Sequence, residues 1–218
     1  MTGPKICASI VNDDLEAVRR VEPLVDLYEV RIDLIGSEWR EVAGQLKKPW
    51  IACNRKSDEG GTWRGGEEAR IAELLSALEF GAEIIDVELS TEGLGDVVSR
   101  IKKRAECLIS YHDVAKTPSI DVMKGLVRKQ LAAGADICKV VTTAQQFEDN
   151  VSALRLIREF PEERIISFAM GPLGLVSRVL CPLVGGEFIY AAIEPGREAA
   201  SGQLTVSDLR EIYQMVKR

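Results

Sequence analysis

The feature that most restricts this chain is an alternation. Short apolar runs recur along it, and most are followed by a stretch with helical spacing. The runs are Lys5–Ile10, Leu27–Asp33, Pro49–Arg55, Glu83–Leu89, Glu106–Tyr111, Asp136–Val141, Glu163–Ala169 and Phe188–Ile193. A first helix is predicted from a cap at Asp13 or Asp14 to about Val21, and others near Glu38–Gln45, Glu67–Glu79 and Leu94–Lys103. The pattern continues with Ser119–Leu131, Ala144–Glu159, Leu175–Leu180 and Thr205–Val216. Strict strand-then-helix order implies parallel strands joined by right-handed crossovers. Eight such units close into a (β/α)8 TIM barrel, of which a chain of 218 residues is a compact example. The alternative, an open doubly wound sheet, would carry a G-x-G-x-x-G turn or a P-loop after a strand, and neither motif occurs. With no linker and no break in composition, residues 1–218 read as a single (β/α)8 barrel domain.

Composition narrows the function classes. At 46% hydrophobic residues the chain can bury a sizeable core, and a net charge of −6 argues against a nucleic-acid surface. No run of about 18 or more apolar residues predicts a membrane span, and no charged-then-apolar leader opens the sequence, so a cytoplasmic protein without membrane contact is expected. Cys7, Cys53, Cys107, Cys138 and Cys181 are scattered, with no C-x-x-C pair, and read as small core residues in a reducing compartment.

In a parallel barrel the chemistry collects at the C-terminal ends of the strands. Polar residues gather there. Glu29, Arg31 and Asp33 alternate and would share one side of the second strand. Arg55 ends the third strand, and Glu59 opens the glycine-rich loop Asp58–Gly66 behind it. Asp86 and Glu88 alternate on the fourth strand, and the only histidine, His112, ends the fifth. Lys139 sits inside the apolar sixth strand, so it must either snorkel to water or lie desolvated. Desolvation favours a neutral amine, the form that attacks a carbonyl, and arginine neighbours would add to this by penalising a second cation. Met170 ends the seventh strand, Arg178 follows, and Gln203 lies in the loop after the eighth.

These residues carry a resemblance. Glu29-Val30-Arg31-Ile32-Asp33, Arg55 through Gly61, Asp86-Val87-Glu88, Ser110-Tyr111-His112-Asp113 with Thr117-Pro118, Asp136 through Lys139, Met170, Ser177-Arg178 and Gly202-Gln203 appear in this order. The ordered set resembles type I 3-dehydroquinate dehydratase, the Schiff-base enzyme of the shikimate pathway, over nearly the whole chain. The resemblance implies conversion of 3-dehydroquinate to 3-dehydroshikimate, with Lys139 forming an iminium, His112 acting as general base and Glu59 orienting the imidazole. It implies that Arg178 clamps the substrate carboxylate and that Glu29, Arg31, Arg55 and Gln203 bind hydroxyls or close the site. No cofactor and no metal are expected; the partner is the small-molecule substrate, and the expected assembly is a homodimer. The closing loop departs from the family's Ser-Ala-Pro-Gly-Gln, reading Ala199-Ala200-Ser201-Gly202-Gln203. The serine hydroxyl is either lost at Ala199 or supplied by Ser201.

Two other readings use the same residues. A Schiff-base aldolase would need a phosphate nest after strands seven and eight, for which Gly171–Gly174 is the candidate. A non-catalytic ligand-binding barrel would carry the groups without turnover.

Overall fold

A computed structural model describes residues 3–216 of the chain. Strands β1 (Ile6–Ile10), β2 (Leu27–Arg31), β3 (Trp50–Cys53), β4 (Ile84–Glu88), β5 (Glu106–His112), β6 (Ile137–Thr143), β7 (Ile165–Met170) and β8 (Ile189–Ala192) are all parallel. Their order is β7-β6-β5-β4-β3-β2-β1-β8, a nearly closed (β/α)8 barrel. Between β7 and β8 the join is made by other means. The Glu187 N–H donates to the Ile165 carbonyl at 2.9 Å, and the Phe168 and Tyr190 rings meet across the seam at 6.5 Å between centroids.

The helices are α1 (Leu15–Val21), α2 (Ile32–Ile35), α3 (Trp39–Ala43), α4 (Glu67–Ser76), α5 (Leu94–Ile101), α6 (Ile120–Ala132), α7 (Glu148–Arg158), α8 (Leu175–Leu180) and α9 (Val206–Val216). Asp14 caps α1 by accepting the Ala17 N–H at 3.0 Å, as its position before the apolar-periodic stretch implies. The barrel strands are buried on both faces, so their sequences read as continuous apolar runs into which single polar residues are set. Every such polar residue on the lumen side therefore needs a partner inside.

The second strand ends earlier than its pattern suggested. Asp33 does not continue the row of Glu29 and Arg31, because the chain turns into α2 at Ile32. Its carboxylate folds back, accepting Arg31 Nε and Nη2 at 2.9 and 2.8 Å and the Thr62 N–H at 3.1 Å. A local ion pair with the preceding residue-but-one thus replaces strand alternation. The third strand likewise stops at Cys53, and Asn54 and Arg55 lie in the turn beyond it.

Candidate active site

Glu29, Arg31, Arg55, Glu59, His112, Lys139, Arg178 and Gln203 are brought together around one cavity of about 210 Å3 at the C-terminal mouth of the barrel. Lys139 pairs with Ser110 in the β5–β6 register, which sets His112 one lumen-facing position further along the neighbouring strand. The lysine does not snorkel: it is 4% exposed. Its Nζ donates to Asp86 Oδ2 at 2.9 Å, lies 3.7 Å from Glu29 Oε1, and sits 4.1 Å from the centroid of the Tyr190 ring. Carboxylates, rather than the expected arginines, are its immediate neighbours. The reason is register: Asp86 on β4 projects into the lumen at the level of Cys53, and Arg55 takes up the same oxygen at 2.6 Å from the other side.

Asp86 is fully enclosed, and the cations Arg55 and Lys139 hold its carboxyl well below the usual carboxylate range against the opposing effect of burial. Arg55 also donates through Nη1 to Glu88 Oε1 at 2.9 Å and Ser110 Oγ at 2.6 Å. The donor atoms of Glu29, Cys53 and Asp86 lie within 4.8 Å of one another, a spacing suited to a metal ion. Lys139 and Arg55 already supply the positive charge there, so the set fits protein cations and not an added metal.

His112 and Glu59 form the second arm. Glu59 lies in the short turn Ser57–Glu59 after β3, and its Oε2 accepts the His112 N–H at 2.9 Å with the ring Nδ1 at 3.1 Å. Ser90 Oγ donates to the other oxygen at 3.0 Å. This network assigns the ring proton to Nδ1 and leaves Nε2 as the basic nitrogen. Burial, with Arg55 and Lys139 nearby, pushes the imidazole well below its ordinary range, so it is neutral at neutral pH. Burial pushes the Glu59 carboxyl up to about 7, against the pull of Arg55. The loop turns closely under Arg55 here: a Cβ on Gly61 would lie 2.0 Å from the Arg55 carbonyl oxygen.

Arg178 is unlike the other buried cations. Arg31, Arg55, Arg70 and Lys139 each meet a carboxylate. Arg178, 2% exposed on α8, stacks 4.6 Å over Phe168 and donates Nη2 to the Ser201 carbonyl at 3.0 Å, while its Nε has no partner among the described residues. Desolvation pulls it down to about 10. Such a cation, lining the cavity, has donor capacity that an anion there could use.

The closing loop is tied by the Gln203 side chain and by backbone atoms. Gln203 Oε1 accepts the Ala199 N–H at 2.7 Å, its Nε2 donates to Ser9 Oγ at 3.2 Å, and Ser9 donates to Glu29 at 3.0 Å. Gly202, at φ +76°, packs so closely that a Cβ would lie 2.7 Å from the Gly171 oxygen. Gly171 in turn donates its N–H to the Ser201 carbonyl at 3.3 Å. The Gly171–Gly174 stretch is therefore a seat for this loop and not an open phosphate nest.

Sequence reasoning assigned no role to Ser9, Phe168 or Tyr190, which also line the cavity. Tyr190 carried the best available signal, a phenol in an otherwise apolar final strand. Its hydroxyl is buried without a partner among the described residues.

A family profile described as type I 3-dehydroquinase matches residues 6–218. A 3-dehydroquinate dehydratase of Dehalococcoides mccartyi is 44% identical over 217 residues, which cover 99% of this chain and 97% of that protein. The type I 3-dehydroquinate dehydratase of Clostridium difficile, solved with covalent modified comenic acid, superposes with a TM-score of 0.87 at 25% identity, covering 99% of this chain and 93% of that one. The 3-dehydroquinate dehydratase of Geobacillus kaustophilus gives a TM-score of 0.87 at 26% identity, covering 99% and 92%. With a barrel of that architecture and a profile match over nearly its full length, the chain belongs to the type I 3-dehydroquinase family.

Proposed function

We propose that the barrel dehydrates 3-dehydroquinate to 3-dehydroshikimate through a Schiff base on Lys139, as a hydro-lyase of the shikimate pathway. The observation that carries the assignment of residues is the pairing of a buried amine with a neutral, Glu59-oriented imidazole on adjacent strands.

The substrate carboxylate is bound by Arg178, whose guanidinium otherwise has no carboxylate partner among the described residues. This contact fixes the ring ketone over Nζ. His112 takes one proton from the Lys139 ammonium, and the amine left behind attacks the carbonyl carbon. The surplus proton on nitrogen moves to the carbonyl oxygen, giving a neutral carbinolamine. His112 then passes its proton to the carbinolamine hydroxyl, water leaves, and a protonated imine remains with the imidazole neutral again. The imine draws electron density from the adjacent C–H bond, which the ketone does far less well. His112 Nε2 then removes the carbon-bound proton, giving an enamine. The enamine expels the β-hydroxyl, which departs as water with the proton from His112. Hydrolysis of the iminium frees the product and restores the amine. Asp86, held as a carboxylate by Arg55, stays ionised throughout and stabilises the cationic imine.

Glu29, Arg31 and Gln203 close the site around the hydroxyls, and Arg55 acts mainly by fixing Asp86. No step in this scheme calls for a cofactor. The proposal extends to a cytoplasmic homodimer. Five buried free thiols suit a reducing compartment, and no helix among the described residues is long and apolar enough to cross a membrane. Light scattering on the purified protein gives the mass of the assembly.

The deciding experiment is borohydride trapping during turnover. Reduction should inactivate the enzyme and leave the ring mass on the peptide containing Lys139, and borohydride without substrate should do no harm. Trapping and turnover that survive in Lys139→Ala would end the assignment. An aldolase would instead turn over a phosphorylated sugar, and a binding barrel would show no turnover at all.

A further inference from the structure

Helix α4 faces away from the cavity, yet one of its residues reaches the barrel interior. Arg70 is 1% exposed and uses all its donors. Nε and Nη2 bind Glu67 at 2.8 and 3.0 Å, Nη1 binds the Asn54 carbonyl and Glu88 Oε2 at 2.7 Å each, and Nη2 also binds Thr91 Oγ1 at 3.1 Å. Glu88, fully enclosed on β4, is the hinge of this arrangement. Its other oxygen accepts Arg55 Nη1 at 2.9 Å and the Lys56 N–H at 3.1 Å.

Two routes leave Glu88 for the catalytic groups. Through Arg55 it reaches Asp86 Oδ2, the oxygen that also holds Lys139 Nζ. Through the Lys56 N–H it anchors the start of the Ser57–Glu59 turn, whose glutamate orients His112. We infer that Arg70 is a positioning residue for both catalytic arms: it balances the charge of Glu88, so that Arg55 remains on Asp86 and the Glu59 turn stays seated. Without Arg70 a buried carboxylate loses one of its two cations and draws Arg55 toward itself. Asp86 then loses its orienting partner, and the Lys139 amine loses its fixed direction. Arg70 is not among the residues that line the cavity, and substrate binding through Arg178 does not run through it.

This inference rests on the Schiff-base reading, and its test separates the two. The parental enzyme is trapped with borohydride first. A parent that yields no Lys139 adduct sinks both. With a trapped parent, Arg70→Met should lower kcat about tenfold or more, slow trapping in parallel, and leave KM within about twofold. Arg70→Lys, which keeps the charge, should recover most of kcat. Arg70→Met combined with Glu88→Gln removes the charge that needs balancing, and should return kcat to within about fivefold of the parent. A residue that merely packed α4 would not be rescued in this way. A folded Arg70→Met with kcat within about twofold of the parent overturns the inference, as does a double variant no better than the single one. Should Arg70→Met fail to fold, the double variant decides alone: kcat within about fivefold supports the role, and a lower value refutes it.

Discussion

His112 and Glu59 meet twice at one atom: the histidine backbone N–H and its ring Nδ1 both point at Glu59 Oε2, at 2.9 and 3.1 Å. The carboxylate therefore holds the imidazole by its main chain and its ring together, fixing position and tautomer at once. It is ionisation of this one carboxyl that the pH behaviour should report.

Glu59 has its carboxyl pushed up to about 7 by burial, so it is mostly protonated at pH 6 and ionised at pH 8. The ionised form accepts both His112 donors more strongly and stabilises the imidazolium formed when His112 takes a proton, so kcat/KM should rise through pH 7 and level off above it. Glu59→Gln should abolish that rise and lower kcat by about tenfold or more. For stability the sign is opposite. A raised folded-state pKa contributes stability that is present below about 4.5 and lost as pH rises through 7. Glu59→Gln should thus be more stable than the parent at pH 8, by at most about 3 kcal/mol, and no more stable at pH 4. A flat urea-midpoint difference across that range would sink the claim.

His112→Ala should separate imine formation from turnover. The amine can still condense slowly, but no base lies in reach of the carbon-bound proton. Mass spectrometry of the variant incubated with substrate should show covalent adduct with little product. Near-parental turnover would remove the histidine from its role.

Arg178 should show a conflict between stability and function. Arg178→Lys keeps the charge and loses the paired hydrogen bonds, costing about 2 kcal/mol or more in kcat/KM. Arg178→Met should lose binding further and yet raise the melting temperature, because it removes a buried guanidinium with no carboxylate partner among the described residues, a gain on the order of 2 kcal/mol. A melting temperature that falls in Arg178→Met would mean that the carbonyl of Ser201 and the Phe168 ring already compensate the charge.

Gly61→Ala tests the turn beneath Arg55. A methyl group 2.0 Å from a backbone oxygen forces the main chain apart. The expected cost is about 3 kcal/mol, read from the urea midpoint, with a loss of kcat as Arg55 and Glu59 shift. A cost under about 1 kcal/mol would show that this turn yields freely.

Most of the fold was legible because barrel strands leave a simple mark: apolar runs of strand length, each followed by helical spacing. Boundaries failed where a side chain captured its own backbone neighbourhood, as Asp33 does in folding back onto Arg31. The residues of the candidate site were legible where an ionisable group sits inside an apolar strand, as Lys139 does, or closes one, as His112 does. Asp86 and Glu88 were visible as an alternating pair, but their partners were not, since Arg55 and Arg70 come from different elements and only the closed barrel brings them together. Arg70 looks from sequence like any charge on an amphipathic helix. Its burial depends on a glutamate 18 residues away whose need for a cation no local pattern records.

The closing loop reaches Arg31 and Arg178 through the carbonyls of Ala199 and Ser201, at 3.4 and 3.0 Å. A carbonyl is common to every amino acid, so these two contacts do not depend on which side chains stand at 199 and 201. Ala199→Ser should accordingly change kcat/KM by less than about twofold. Selection would act instead on Gly202, whose positive φ and close approach to Gly171 leave no room for a side chain. In a lineage of such enzymes, positions 199 and 201 would tolerate a change of letter at these two contacts, while the glycine at 202 and the glutamine at 203, which ties Ala199 to Ser9, would keep the loop's shape.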